Sequence, residues 1–561
     1  MLKLILAFQL CCICILYSNA QNGAANPAKR PHDWWQADWK KDSIPGISLG
    51  QAYEYLQGRK SKTVIVAIID NCIDTAHEEL KDFIWANKKE IPGNGIDDDH
   101  NGYIDDVHGW CFIANTNSVI QEKQSSGEIG LYKDWKNRFE NIDTTKLNDE
   151  EKIEYDWYVS AKKTLAEKWK IYELASQLPI DSVTLTMDSA RFVNYLDNLC
   201  KNYGNKFLYD VPFASLSFSD RYDSILNQLF LLIITKDKNW EETVTDFDKD
   251  NKTIPGFVQG FGQFILWDKY KYADTTTNFR QMLGDDPQNF KDLYYGTPSI
   301  NLKQIGGKHA TPIAGIIGAN RYNNKGIKGI ADNVMLMPLV TLVPNGGFDE
   351  KDVYAAIHYA VDNGAFIINI SGRSDISFSE NIKEMKEAFD YADQHHVLII
   401  QGAGNNGKNL DSEKYFIGQG LNGNEHDTYL RVGATTALMN DSLVAAFSDF
   451  SKKRVDLFAP GVAIFSTEPG NQYGNFGGTS AACPIVVGVA ALLKSYFPTL
   501  TAEQVKEILV KSVYKPSVMV LPPIHAGFTN KISFSLLSKS GGIVNAYNAV
   551  RLAAEMTRKK K

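Results

Sequence analysis

Asp70, His309 and Ser480 are the residues of this chain whose types and surroundings could carry covalent chemistry. Asp70 closes the apolar run TVIVAIID, His309 precedes an apolar helical stretch, and Ser480 separates two glycines and a threonine from a long small-and-aliphatic run. A serine hydroxyl is a poor nucleophile until a base takes its proton. Histidine can do this near neutral pH, and a buried carboxylate holds the imidazole in the right tautomer and stabilises its charged form. The chemistry open to such a set is acyl transfer. Each residue also has a plainer role: an aspartate at a strand end forms turns, and a histidine or serine caps a helix.

Bringing together residues so far apart in sequence requires a framework of strands and helices. Thr63 to Asp70 reads as a buried strand of the parallel kind, preceded by a helix from Ser48 to Gly58. From His309 onward, helices and apolar strands alternate. Helices are predicted over Thr311 to Asn320, Lys351 to Asn363, Glu380 to His395, the run after Ser480, and Asn545 to Glu555. Strands are predicted over Val334 to Val343, Phe366 to Ser371, Val397 to Gly402, Leu430 to Ala434 and Val455 to Ala459. The pattern implies an α/β fold with a parallel sheet flanked by helices, and sites at the C-terminal ends of strands. Residues 111–305 differ in texture. Charged, aromatic and leucine residues at helical spacing over 150–178, 180–202 and 222–235 read as a mainly helical insertion.

The stretches that carry these residues resemble the subtilases, the subtilisin-like serine peptidases. They are VIVAIID ending at Asp70, HATPIAGIIGA from His309 and GTSAACP around Ser480, in that chain order. Between them GIKGIADNVMLMPLV, AIHYAVDNGAFIINIS and GAGNNG also match. The resemblance implies a subtilisin-like sheet, with Asp70 as the orienting carboxylate, His309 as the general base and Ser480 as the nucleophile. It places Asn405 at the oxyanion hole. It assigns the substrate cleft to Ser371, Gly372 and Arg373 on one side and Gly402, Ala403 and Gly404 on the other. The chain departs from the family pattern at several positions. Asn71-Cys72 follows the aspartate, Ala310 stands where glycine is usual, Gly372-Arg373 replaces a large apolar residue and glycine, and Ala481 and Cys483 follow the serine. None removes a catalytic group. Arg373 would favour an acidic substrate side chain, unless it is a solvated arginine on the cleft rim. The implied function is a serine endopeptidase acting on proteins or peptides through an acyl-enzyme. The alternative is a catalytically weak homologue that binds peptides.

A second constellation, PGNGIDDDHNGYIDDVHGW, sets Asp97, Asp99 and Asn101 at alternate positions, followed by Gly102. With the Tyr103 carbonyl and Asp105 it resembles the first half of an EF-hand loop, which makes structural calcium an expectation. Position twelve would be His108 rather than glutamate, and an Asx-rich turn explains the same residues. Catalysis itself calls for no cofactor.

Composition narrows the remaining classes. Of 561 residues, 44% are hydrophobic and 22% charged, and the net charge of −7 gives no support to a nucleic-acid surface. Residues 1–20 read as a signal peptide, with Lys3, an apolar run and a small-x-small site ending at Ala20, so export to the periplasm or beyond is expected. No later run is apolar enough to predict a membrane span. Residues 21–58 read as a surface arm and first helix, 59–110 and 306–555 as the two parts of the catalytic domain, and 556–561 as a basic tail. The resemblance implies that the 50 residues between Ala20 and Asp70 are too few to include a folding propeptide, and no C-terminal sorting domain is expected after the Asn545 to Glu555 helix. The widely spaced Cys72, Cys111, Cys200 and Cys483 read as core residues rather than a disulfide framework.

Overall fold

The computed structural model describes residues 32–115, most of 283–558 and isolated positions between 136 and 162. The signal segment lies outside them. The chain divides into two compact units, one built from Ala25–Gln124 and Asn278–Lys561, the other holding Ser125–Thr277.

The first unit is built on strands whose apolar runs bury both faces of a sheet. They are β1 (Val64–Asp70), β2 (Trp110–Cys111), β3 (Val334–Val340), β4 (Ile367–Ile370), β5 (Leu398–Gly402), β6 (Tyr429–Thr435) and β7 (Leu457–Pro460). All pair in parallel, in the order β2-β3-β1-β4-β5-β6-β7, with Asp70 opposite Val340 at the end of the β1–β3 ladder. After a single helical turn at Trp39–Asp42, the helices are α1 (Leu49–Leu56), α2 (Ala310–Gly318), α3 (Glu350–Asp362), α4 (Ile382–Gln394), α5 (Thr479–Tyr496), α6 (Ala502–Lys511) and α7 (Ala546–Arg558). Ala67 and Ile69 of β1 share a core with Met337, Ile368 and Ile399 and with α3 and α4. Val66 and Ile68 alternate with them and are fully buried, while α5 lies against β1 and β4 to β7. Among the described residues α5 is the one helix long and apolar enough to cross a bilayer, and 89% of it is buried inside the protein.

The elements expected in the first unit are present, with ends displaced by a few residues. Elements not anticipated include a short strand, a hairpin and a helix. Strand β2 has two residues and no readable period. Hairpin β8 (Ile464–Glu468) and β9 (Gln472–Phe476) is half exposed and polar. Helix α6 opens with a Thr501/Gln504 capping box, a signature present in TAEQ.

The arm is anchored: Trp34 and Trp35 are 4% and 1% exposed, and Trp34 Nε1 donates to Ala463 O. The expected insertion from 111 to 305 is too wide, because Cys111 pairs with Val340 and bridges Thr297, and Phe112, Ile113 and Ala114 are buried. An apolar run that covers the sheet edge next to β3 belongs to the sheet. In the second unit Phe139, Leu147 and Tyr158 form a small cluster with Tyr155 packed against it. The helical runs expected there lie largely outside the described residues. Cys72, Cys111 and Cys483 are buried free thiols, as expected of core residues; Cys200 is outside the described set.

Candidate active site

Asp70 ends β1 with no exposed surface. A buried carboxylate must be paired, and this one is, three times over. His309 Nδ1 lies 2.8 and 2.9 Å from its two oxygens, and the Asn71 backbone N–H donates to Oδ1 at 2.8 Å. Thr341 and Leu342 N–H groups hold the Asp70 carbonyl, fixing the strand end. A carboxylate can only accept, so Nδ1 carries the proton, and in the neutral ring Nε2 is left as the base.

His309 is the residue before α2, whose first N–H groups need partners from outside the helix. Asn71 Oδ1 accepts from Ala310 N at 2.9 Å, so the residue that departs from the family pattern ties the aspartate turn to the histidine helix. The imidazole packs edge-on against Phe476 of β9, 5.3 Å between ring centres. Partial burial pushes the His309 pKa down, but the charge and hydrogen bond of Asp70 push it up and prevail, holding it above the usual histidine value.

Ser480 is the second residue of α5, 7% exposed, and enters from Gly478 at φ +99°, a conformation that favours glycine. Its hydroxyl donates to the Ser371 carbonyl at 2.8 Å rather than to His309. Pro484, one turn further along α5, has no N–H to give the Ser480 carbonyl. That carbonyl accepts from Ser371 Oγ at 3.2 Å instead, so the end of β4 and the start of α5 are joined by two reciprocal bonds.

Asn405 follows β5, and Thr479 determines its orientation. The Asn405 carbonyl oxygen accepts from Thr479 N at 2.8 Å and Thr479 Oγ1 at 3.0 Å, which turns the amide Nδ2 away from them. Nδ2 lies 3.1 Å from where a Cβ on Gly478 would stand, beside the N-terminus of α5. An amide donor next to the free N–H groups and positive end of a helix can stabilise an oxyanion. Gly404 N donates to Thr479 Oγ1, so the Gly402, Ala403 and Gly404 segment is bonded to the serine helix. On the other side a Cβ on Gly372 would stand 1.7 Å from the Phe348 ring, which would have to move aside. Arg373 lies outside the described residues. Asn71, Thr479, Pro484 and Phe348 are contributors that sequence reasoning missed. The first three adjoin the recognised motifs, and no sequence signal marks Phe348.

In the acidic segment the expected calcium ligands make local hydrogen bonds. Asp97 accepts backbone N–H bonds from Asn101 and Gly102, and Asp105 from Gly93, Asn94 and Gly95. Asn101 Oδ1 receives Tyr103 N, and the Tyr103 ring is core, with its hydroxyl on Leu293 O. Of the five expected ligands only Asp99 joins a convergent carboxylate group, whose other members are Glu90 and Asp106. The reason is conformational: Asp105 sits at φ +56°, and its carboxylate serves the preceding turn.

Comparison with known proteins places this arrangement. Subtilisin DY of Bacillus licheniformis is 33% identical over 204 residues, 36% of this chain and 69% of that protein. The thermophilic serine proteinase of Bacillus sp. (strain AK1) is 36% identical over 207 residues, 37% of this chain and 46% of that protein. Fervidolysin of Fervidobacterium pennivorans is 33% identical over 256 residues, 41% of this chain and 34% of that protein. The chain thus spans less than half the length of the last two. A solved structure described as proteases from Pseudoalteromonas arctica aligns with 44% of this chain and 70% of its own, at 24% identity and a TM-score of 0.33. The Peptidase_S8 model, described as the subtilase family, matches residues 61–541. That span takes in the whole sheet with Asp70, His309, Asn405 and Ser480, and the chain belongs to the subtilase family.

Proposed function

We propose that this chain is an exported serine endopeptidase that hydrolyses peptide bonds of proteins through an acyl-enzyme on Ser480. The observation that carries the reading is the close pairing of His309 Nδ1 with both oxygens of buried Asp70, which leaves Nε2 as a base. In the reaction the Ser480 hydroxyl leaves the Ser371 carbonyl and passes its proton to Nε2 as Oγ attacks the substrate carbonyl. His309 then protonates the leaving amine, and water repeats the sequence to release the acyl group. Asn405 Nδ2 and the Ser480 N–H receive the developing oxyanion. Relatives named as proteases support a peptidase. Residues 1–20 support export.

The second reading, a homologue that binds peptides and barely cleaves them, is favoured by the Ser480 hydroxyl resting on Ser371 O. Fluorophosphonate labelling of the purified chain, followed by cleavage of a peptide library, separates the two. The peptidase reading expects labelling at Ser480 and turnover; a folded but unlabelled protein would sink it. The library also reports whether acidic side chains are preferred, as Arg373 implies.

Asn405→Ala is expected to lower kcat by about 10²–10³ with little change in KM, because the oxyanion exists only in the transition state. That magnitude was measured on subtilisin, a relative of this chain, and is carried over by analogy. Steady-state kinetics on one peptide substrate check it, and a change confined to KM would assign Asn405 to ground-state binding instead.

A further inference from the structure

Strands β5 and β6 each carry a polar residue inside an apolar run, Gln401 in LIIQG and Arg431 in YLRVGA. The two are register partners, 3% and 4% exposed, so each needs polar partners inside the protein. Tyr429 stands two residues before Arg431, hence on the same face of β6, and is buried as well. The three side chains form a line of hydrogen bonds. Arg431 Nε donates to the Tyr429 hydroxyl at 3.0 Å, and that hydroxyl donates to Gln401 Oε1 at 2.6 Å. Gln401 Nε2 in turn donates to the Gly372 carbonyl at 3.3 Å. The direction of the line is fixed at its far end. A guanidinium has no acceptor, so the Tyr429 oxygen must accept from Arg431 and give its own proton to Gln401. That assigns the amide oxygen of Gln401 and leaves its NH2 group facing Gly372.

Gly372 lies two residues beyond the end of β4, on one side of the cleft, and Gln401 directly precedes the Gly402, Ala403 and Gly404 segment on the other. The Gln401 amide therefore ties one wall to the other. The bond to Gly372 is independent of the nucleophile. Ser371 O holds the Ser480 hydroxyl at rest and gives it up when the serine attacks, whereas Gly372 O keeps Gln401 throughout. We propose that Gln401, locked by Tyr429 and Arg431, is a positioning residue that sets the separation of the two cleft walls and thereby which peptides the cleft accepts. The proposal rests on the peptidase reading above. Gln401 acts through Gly372 and touches none of the reacting groups.

The test is Gln401→Met in the whole chain, which keeps the length of the side chain and removes its amide. Parent and variant are compared by melting temperature, by the rate of labelling with a small fluorophosphonate, and by kcat/KM across a peptide library. The label reports on Ser480 and its base and carries no peptide to seat between the walls. The variant should fold and be labelled at close to the parent rate. Its kcat/KM for the peptides the parent prefers should fall about 10-fold, and the preference among peptides should flatten, because discrimination depends on the dimensions of the site. Tyr429→Phe, which leaves Gln401 in place but frees its amide to turn over, should move the library profile in the same direction by a smaller factor. A labelled Gln401→Met protein with the parent's profile overturns this proposal alone, and so does an equal fall in labelling and in every peptide, which would be a general structural loss. An unlabelled parent overturns the peptidase reading and this proposal with it. Should Gln401→Met not fold, Tyr429→Phe decides on the same terms, and an unchanged profile overturns the assignment.

Discussion

Ser480→Ala is expected to abolish fluorophosphonate labelling and to lower peptide hydrolysis about 10⁶-fold, a magnitude measured on a subtilisin and carried here by kinship. The loss should appear in kcat, because the acyl-enzyme route needs the nucleophile while ground-state binding in the cleft does not. A residual rate about 10³–10⁴ above the uncatalysed reaction should persist from Asn405 and the α5 N-terminus. Folding should survive. The substitution removes the bond to Ser371 O, a contribution of about 1 kcal/mol, while the Ser480 carbonyl keeps its bond from Ser371 Oγ. Matched melting curves together with the lost turnover confirm the assignment; a variant that still hydrolyses at the parent rate removes Ser480 from the chemistry.

Asp70→Asn is expected to cost about 10⁴ in kcat, because the amide can no longer select the His309 tautomer that leaves Nε2 as a base. A pH profile gives a second readout whose sign follows from the electrostatics. His309 must be neutral to accept the serine proton, so activity falls as pH drops through its pKa. Asp70 holds that pKa above the usual histidine value against the opposing effect of burial. The acid limb of the parent kcat/KM profile should therefore lie above about 6.5. With Asp70 neutralised, burial alone acts, and the limb should move to lower pH. Linkage has the same origin. Since the folded pKa is raised, the Asp70–His309 pair contributes stability that is fully present below the unfolded histidine pKa and lost as pH rises through the folded one. An acid limb that stays in place in the variant would show that another group sets it.

How much of this was readable in advance differs from residue to residue. The TVIVAIID run, the GIIGA helix and the alternation after His309 announced their elements, because a chain buried on both faces leaves an almost unbroken apolar run. The two-residue β2 left no such mark, and neither did the polar β8–β9 hairpin, although its Phe476 packs on the His309 imidazole. The letters TAEQ do carry the capping box of α6. In the acidic segment, alternate spacing says where residues fall along the chain, not where their carboxylates turn. At φ +56° Asp105 is spent on the Gly93–Gly95 turn, and Asp106, its neighbour, faces Asp99 and Glu90.

The sequence by itself determined the fold class and singled out one aspartate, one histidine, one serine and one asparagine as candidates, since short motifs and apolar periodicity are local properties. The tertiary structure decided what those groups do to one another. It set the partner of the Ser480 hydroxyl and the role of Asn71 in joining two distant elements. Thr479 fixes the Asn405 amide, and a carbonyl released by Pro484 is taken up by Ser371. Each of these is a hydrogen bond of about 3 Å between residues as much as 239 positions apart. Such contacts exist only once the sheet has brought its strand ends together.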